Sequence, residues 1–168
     1  QKLFDGSILE KVKEYYLSRL SSIAAKQGVS LAFWDDIAGH HTDDFKWASD
    51  SLTIFSWNND WGSGNEDRAY RAANGGYKTV LVPVSNMYFD QAYAKNSDEP
   101  GFYWGSYTDT YAAFSFLPDH MFMMEQATKR GQILSSSYLD SKEKLSSEGR
   151  KQIQGIEGSL FSETVKSA

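Results

Sequence analysis

Residues 28–36 read GVSLAFWDD. The glycine stands where a helix would stop, an apolar run follows from Val29 to Trp34, and two acids close it. That is how a buried strand begins after a helix and ends in polar chemistry. Upstream, Ile8, Val12, Tyr16, Leu20 and Ile23 recur every three or four positions behind Ser7-Ile8-Leu9-Glu10, a capping-box pattern, so residues 8 to 26 are predicted to form an amphipathic helix. Downstream the unit repeats. Leu52 to Trp57 is a second β-rich run ending in Asn58-Asn59-Asp60-Trp61-Gly62, and residues 66 to 74 read as a helix stopped by Gly75-Gly76. Thr79 to Val84 is a third run. A further helix is expected over 119 to 130, with Pro118 near its start and Gly131 past its end. Residues 135 to 151, rich in Ser and Lys, read as an exposed loop or short helix, and Ile153 to Phe161 is the last run, ending in Ser162-Glu163-Thr164.

Four buried strands alternating with helical or looped connections are the pattern of a parallel α/β sheet. Ligands of such sheets lie at the carboxyl ends of the strands. Here each run ends in an aromatic beside a polar or acidic residue: Trp34 with Asp35, Trp57 with Asn58, Tyr88 and Asp90 after the third, Phe161 and Glu163 after the fourth. The third run leads into NMYFDQAYAKNSDEPGFYWG, residues 86–105, where rings and carboxylates are concentrated among turn formers. Ring faces and hydrogen-bond acceptors around one mouth are the chemistry that binds sugars. In Tyr88-x-Asp90 the period-two spacing aims both side chains the same way from an extended segment.

Composition narrows the classes. A chain of 168 residues makes one domain with a substantial core. The formal net charge of −5 argues against nucleic acid or anionic membrane as the main partner, since both call for a basic footprint. Aromatic residues are 15%, with five Trp, ten Tyr and ten Phe, which fits flat, partly apolar ligands but also ordinary core packing. The chain has no cysteine, so thiolate chemistry and disulfides are excluded and the compartment stays open. No apolar run approaches the ~18 residues of a membrane span. The first residues lack a signal peptide's apolar stretch and the chain starts without Met, which reads as a processed or truncated piece.

Phe33-Trp34-Asp35-Asp36-Ile37, Tyr88-Phe89-Asp90, Glu99-Pro100-Gly101-Phe102-Tyr103-Trp104-Gly105 and Gly155-Ile156-Glu157-Gly158-Ser159-Leu160-Phe161-Ser162-Glu163 occur in that order. Together they resemble the β-N-acetylhexosaminidases of glycoside hydrolase family 20, chitobiases included, over nearly the whole chain. The resemblance implies that residues 1–168 are the C-terminal half of a (β/α)8 TIM barrel, about strands five to eight. It also implies a whole enzyme that removes terminal N-acetylglucosamine or N-acetylgalactosamine from oligosaccharides with retention. In this family the substrate's own acetamido carbonyl attacks the anomeric carbon.

The family's His-x-Gly-Gly-Asp-Glu signature, which supplies the acetamido-orienting Asp and the general acid Glu, does not occur in these residues and is expected just before residue 1. The same holds for an earlier arginine and histidine. The chain alone is therefore expected to be inactive. By resemblance, Tyr88 hydrogen-bonds the acetamido oxygen, Asp90 and Glu163 accept from the hydroxyls on carbons 4 and 6, Trp57 walls the acetamido pocket, and Trp104 is a platform for the neighbouring sugar. Tyr70 stands where many members have a second pocket Trp, and Phe161 replaces the usual Trp under the scissile sugar. Asp35-Asp36 follows Phe-Trp and matches a wall element, so it is not the catalytic pair.

Other readings stand beside these. A non-catalytic carbohydrate-binding or structural module of the same fold is the alternative. A different glycosidase could use Asp90 and Glu163 as its own pair, about 5–5.5 Å apart for retention or about 6.5–9.5 Å for inversion. Trp47 and Trp61 are open between core and ligand. His40-His41 with Asp43-Asp44 lacks a third well-spaced ligand, so no metal or other cofactor is expected. Asp119-His120 reads as a helix start, Ser135-Ser136-Ser137 as loop, and Met121, Met123 and Met124 as core or interface filler. The expected partners are an N-acetylhexosamine oligosaccharide and the missing half of the barrel, or a second copy in a dimer, because a four-stranded piece has two open edges. A secreted, periplasmic or cell-surface location follows from the family's substrates. Neither gluco or galacto preference nor linkage is legible.

Overall fold

The structure is a computed structural model that describes residues 6–38, 52–124 and 127–164. The side chains of the capping box at Ser7 and Glu10, the His40-His41 and Asp43-Asp44 cluster and Trp47 lie outside the described residues.

Four strands form one parallel sheet: β1 (Ala32–Trp34), β2 (Thr53–Ser56), β3 (Lys78–Leu81) and β4 (Ile153–Ile156). Their order across the sheet is their order in the chain, β1-β2-β3-β4. Phe33 pairs with Ile54, Ile54 with Thr79, and Val80 with Gly155, where an irregularity in β4 shifts the register. Neighbouring parallel strands in chain order place every carboxyl end, and every loop leaving one, at the same end of the sheet. The strands are shorter than the apolar runs that foretold them. The remaining residues of each run continue as loop with isolated sheet bonds, such as Val82 N to Ser56 O at 2.8 Å and Glu157 N to Leu81 O at 2.9 Å.

α1 (Gly6–Gln27) ends as expected at Gly28, whose φ of +66° lets the Val29 amide reach back to the Ala24 carbonyl at 2.9 Å. Its buried stripe differs from the expected one. Leu17, Ser21 and Ala24 are buried, while Ile8, Val12, Tyr16 and Ile23 are at least half exposed. Both sets have helical spacing, so periodicity alone could not choose between them.

α2 (Asp35–Ala38) follows β1 directly, α3 (Arg68–Asn74) leads into β3, and α4 (Val84–Met87) is a single turn behind Pro83. α5 (Thr110–Phe114), α6 (Ser136–Asp140) and α7 (Ser147–Arg150) punctuate the long connection to β4, their N-caps made by Asp109, Ser135 and Ser146. The helix expected over 119–130 does not form. A 3₁₀ turn at Met121–Met123 is followed by a tight turn in which Ala127 bridges Ile133 in antiparallel sense. Tertiary packing overrides the local pattern there: Met121 and Phe122 are pinned in the core while Met123 is exposed.

The sheet's two faces are filled differently. On the helix side Ile54 packs with Leu52 and Ala72, and Leu81 packs with Trp61, Ala69, Tyr70, Met87 and Phe122. Trp61 is thus a core residue. On the other face Val82, Val84 and Tyr88 gather the partly buried Trp34, Phe55, Trp57 and Val80. Among the described residues no helix is long and apolar enough to cross a membrane.

Candidate active site

The site grows out of the loops after β2, β3 and β4. Beyond α4 the chain runs extended through Tyr88, clamped by Ser159 N to Met87 O and Phe89 N to Ser159 O, both 2.7 Å. Extension turns Tyr88 and Asp90 to one side and Phe89 to the other, where its ring lies so close to Gly158 that a Cβ there would sit 2.4 Å from it. The clamp also fixes Phe161 next to Tyr88, with ring centres 5.4 Å apart.

Trp57 joins from β2, its ring centre 6.3 Å from that of Tyr88, and Trp104 meets both edge-on at 5.9 Å. Edge-to-face pairs of this kind add about 0.5–1.5 kcal/mol beyond burial, so the rings brace one another. Trp57, Tyr88, Asp90, Phe102, Trp104, Phe161 and Glu163 line a cleft of about 360 Å³. Six of the seven residues singled out in the sequence thus meet around one cavity.

Tyr70 is not among them. It is 1% exposed under the helix side of β3, and its hydroxyl donates to the Pro118 carbonyl at 2.8 Å and accepts from the Met121 amide at 3.0 Å. Burial pushes its hydroxyl up to about 12. It is a core tyrosine, placed there because α3 packs that face against β3.

The loop between Asp90 and Trp104 folds back on itself. Phe102 N donates to Asp90 O at 2.9 Å and Ala92 N to Phe102 O at 2.6 Å. The fold-back requires glycine at 101: φ is +120°, and a Cβ would sit 2.7 Å from Ala92 N and 2.9 Å from Asp90 O. Phe102 went unremarked as a lining residue, although its period-two relation to Trp104 is the same signal that paired Tyr88 with Asp90.

Two acidic features set the electrostatics. Asp90 is 4% exposed, and its Oδ1 is buried without a hydrogen-bond partner among the described residues. Beneath the cleft Asp35, 1% exposed, accepts from Ser56 Oγ at 2.8 Å, while Asp36 accepts from Trp57 Nε1 at 3.4 Å. Asp35-Asp36 therefore braces the ends of β1 and β2. Burial raises Asp35 above the usual carboxylate range against the pull of Ser56 and Arg68. Burial, then the charges of Asp35, Asp90, Asp36 and Glu157, hold Tyr88 well above an ordinary phenol. Tyr88 consequently keeps its proton and is a fixed donor.

A buried polar network behind the cleft was not foreseen. Asn59 Nδ2 donates to Ser85 Oγ at 2.7 Å, Ser85 Oγ to Asn86 Oδ1 at 2.6 Å, and Asn86 Nδ2 to the Ala112 carbonyl at 2.9 Å. It ties the β2 loop through α4 to α5. Short polar residues in loops are common, so nothing in their spacing distinguished these.

Residues 2–168 match the glycosyl hydrolase family 20 catalytic domain. The chain belongs to that family. A β-hexosaminidase of Vibrio vulnificus is 29% identical over 160 residues, covering 92% of this chain and 18% of the relative. The β-hexosaminidase B of Pseudoalteromonas piscicida is 28% identical over 157 residues, with coverage of 91% and 19%. Among solved structures, the family 20 exo-β-N-acetylglucosaminidase of Vibrio harveyi in complex with N-acetylglucosamine superposes with a TM-score of 0.63 at 20% identity, over 94% of this chain and 20% of that one. The likeness in fold identifies the four-stranded sheet as part of the family 20 α/β barrel. This chain spans about a fifth of the length of these relatives.

Proposed function

We propose that this chain is the C-terminal half of a family 20 catalytic barrel and supplies the sugar-recognition side of a β-N-acetylhexosaminidase active site. The observation that carries the reading is the buried, unpartnered Oδ1 of Asp90 in a cleft walled by four aromatic side chains and Tyr88. A buried acceptor left unpaired costs about 1–3 kcal/mol, so a hydroxyl from a ligand that fits between ring faces repays it. Terminal N-acetylhexosamine offers such hydroxyls.

In the reaction the acetamido carbonyl oxygen of the substrate attacks the anomeric carbon as the glycosidic oxygen leaves. Tyr88 donates to that carbonyl oxygen and holds it in line, and its raised affinity for its proton prevents loss of the donor. Asp90 and Glu163 accept from the hydroxyls on carbons 4 and 6. Trp57 closes the acetamido side, Phe161 lies under the ring with less area than a tryptophan, and Trp104 faces the next sugar. The proton for the leaving oxygen and the carboxylate behind the acetamido nitrogen come from the Asp-Glu pair of the preceding half.

That half, or a second copy of this chain, also accounts for the open edges of β1 and β4 and the outward Ile8, Val12, Tyr16 and Ile23 of α1. The test is hydrolysis of a chromogenic N-acetylglucosaminide by the chain alone and with the preceding part of the polypeptide supplied. Activity only after addition supports the split site. Activity from the chain alone moves the acid to its own carboxylates. Sugar binding without activity in either case favours a binding module.

A further inference from the structure

Trp104 is the most exposed of the three mutually packed cleft rings, and beyond the main-chain ties at Phe102 its loop is held by two side chains. Gly105 N donates to Gln91 Oε1 at 3.2 Å, and the Trp104 carbonyl accepts from Lys129 Nζ. Lys129 is 25 residues further along the chain, on a separate segment, and its Nζ is also 3.0 Å from Asp60 Oδ2 on the loop after β2.

Both ends of this bridge are built to stay in place. Lys129 rides on the tight turn between Ala127 and Ile133, where Thr128 Oγ1 accepts from the amides of Arg130 at 3.3 Å and Gln132 at 3.2 Å, and Gly131 adopts φ +80°. Thr128 packs on Gly62 so closely that a Cβ there would lie 2.7 Å from its Cγ2. The Gly62 amide in turn donates to Glu66 Oε1, which also accepts from Tyr138 Oη at 2.8 Å. The Glu66 side chain is fully buried and pairs with Lys142 at 3.3 Å. Burial alone would raise Glu66, but its own amide, Tyr138, Gly62 and Lys142 outweigh it and hold the carboxylate charged.

We propose that Lys129 is a positioning residue for Trp104, acting through the Asp60–Lys129–Trp104 carbonyl bridge to set the outer wall of the cleft and so the grip on the sugar beyond the scissile bond. The inference rests on the reading of Trp104 as the platform for that sugar. Lys129 touches neither Tyr88 nor Asp90 in the contacts described, so it reaches the inner subsite only through the Trp104 ring, which rests edge-on against Trp57 and Tyr88. A methionine at 129 keeps the stem and removes the donor.

The experiment uses the protein with its complete barrel and two readouts: KM and kcat for a β-linked N-acetylglucosamine tetrasaccharide, and the inhibition constant of free N-acetylglucosamine, which fills the inner subsite alone. Lys129→Met is expected to raise the tetrasaccharide KM several-fold, with a much smaller change in kcat and in the inhibition constant. Lys129→Arg restores it. Asp60→Asn acts in the same direction, and the Asp60→Asn/Lys129→Met double variant is no worse than Lys129→Met. If Trp104→Ala raises KM and Lys129→Met does not, the bridge does not position the ring and the inference is overturned. If Trp104→Ala leaves KM unchanged, the platform reading itself fails. A parallel rise of KM and inhibition constant in Lys129→Met assigns Lys129 to general structure and also overturns the inference.

Discussion

The two faces of the sheet differ in how far this chain completes them. On the helix side Ile54, Leu81 and Tyr70 are shut away, and the Tyr70 hydroxyl has both a donor and an acceptor partner. On the opposite face Trp34, Phe55, Trp57 and Val80 are only partly covered, and Asp90 keeps a buried oxygen without a partner among the described residues. The partial cover of these rings and the unpartnered Asp90 oxygen mark the face that the proposed ligand and the rest of the barrel would cover. The first face is the more closely covered of the two. The second lines the candidate site.

The sharpest way to break this contrast is to damage each face and compare stability with activity. Leu81→Ala is expected to cost about 2–5 kcal/mol of unfolding free energy, read by urea titration, because a closed core cannot relax around the lost methyls. Tyr88→Phe is expected to lower kcat/KM for an N-acetylglucosaminide by about 10²-fold in the complete barrel, the usual loss for one preorganised donor, while the urea midpoint stays put. A Tyr88 variant that unfolds as readily as the Leu81 one would make the second face a core like the first.

The sheet was legible because period and punctuation agree there: four β-rich runs, each closed by aromatic and polar residues, and Gly28 and Gly75-Gly76 ending helices. The cleft was legible because Trp57, Tyr88, Asp90, Phe161 and Glu163 follow strand runs in a parallel sheet, and topology brings such ends together, while Trp104 came only from the family resemblance. What failed did so where tertiary contact outweighs local pattern. Pro118 and Gly131 framed a plausible helix, yet Met121 and Phe122 are held in the core and the chain turns instead. α1 offered two stripes of helical spacing, and the smaller one, Leu17-Ser21-Ala24, is the buried one. The Lys129 bridge spans segments far apart in sequence, which no local signal encodes.

Tyr70 sharpens the contrast at one residue. Were it a sugar contact, Tyr70→Phe would raise KM. In the fold, the loss of its hydroxyl instead leaves the Met121 amide and Pro118 carbonyl unpaired on the helix side. The expected result is a stability loss of about 1–3 kcal/mol with KM unchanged, measured by urea unfolding and steady-state kinetics on one preparation.

Asp35 carries the smallest effect and the most specific sign. Burial raises its folded pKa above the unfolded value, so the folded state holds this proton more tightly. Its contribution to stability is therefore complete below the unfolded carboxylate pKa of about 3.9 and is lost as pH rises through the higher folded value. Asn at this position cannot titrate, and its side-chain oxygen still accepts from Ser56. The stability of Asp35→Asn relative to the parent is thus expected to climb as pH is raised from acid to neutral, read as the difference between urea midpoints at matched pH. Glu66, whose carboxylate is held charged against burial by hydrogen bonds from its own amide, Tyr138 and Gly62 and by Lys142, has the opposite sign: its contribution is lost as pH falls, and Glu66→Gln should lose ground to the parent over the same rise. If both differences slope the same way, burial does not dominate at Asp35 or the hydrogen bonds and Lys142 do not dominate at Glu66, and the contrast between the two carboxylates fails.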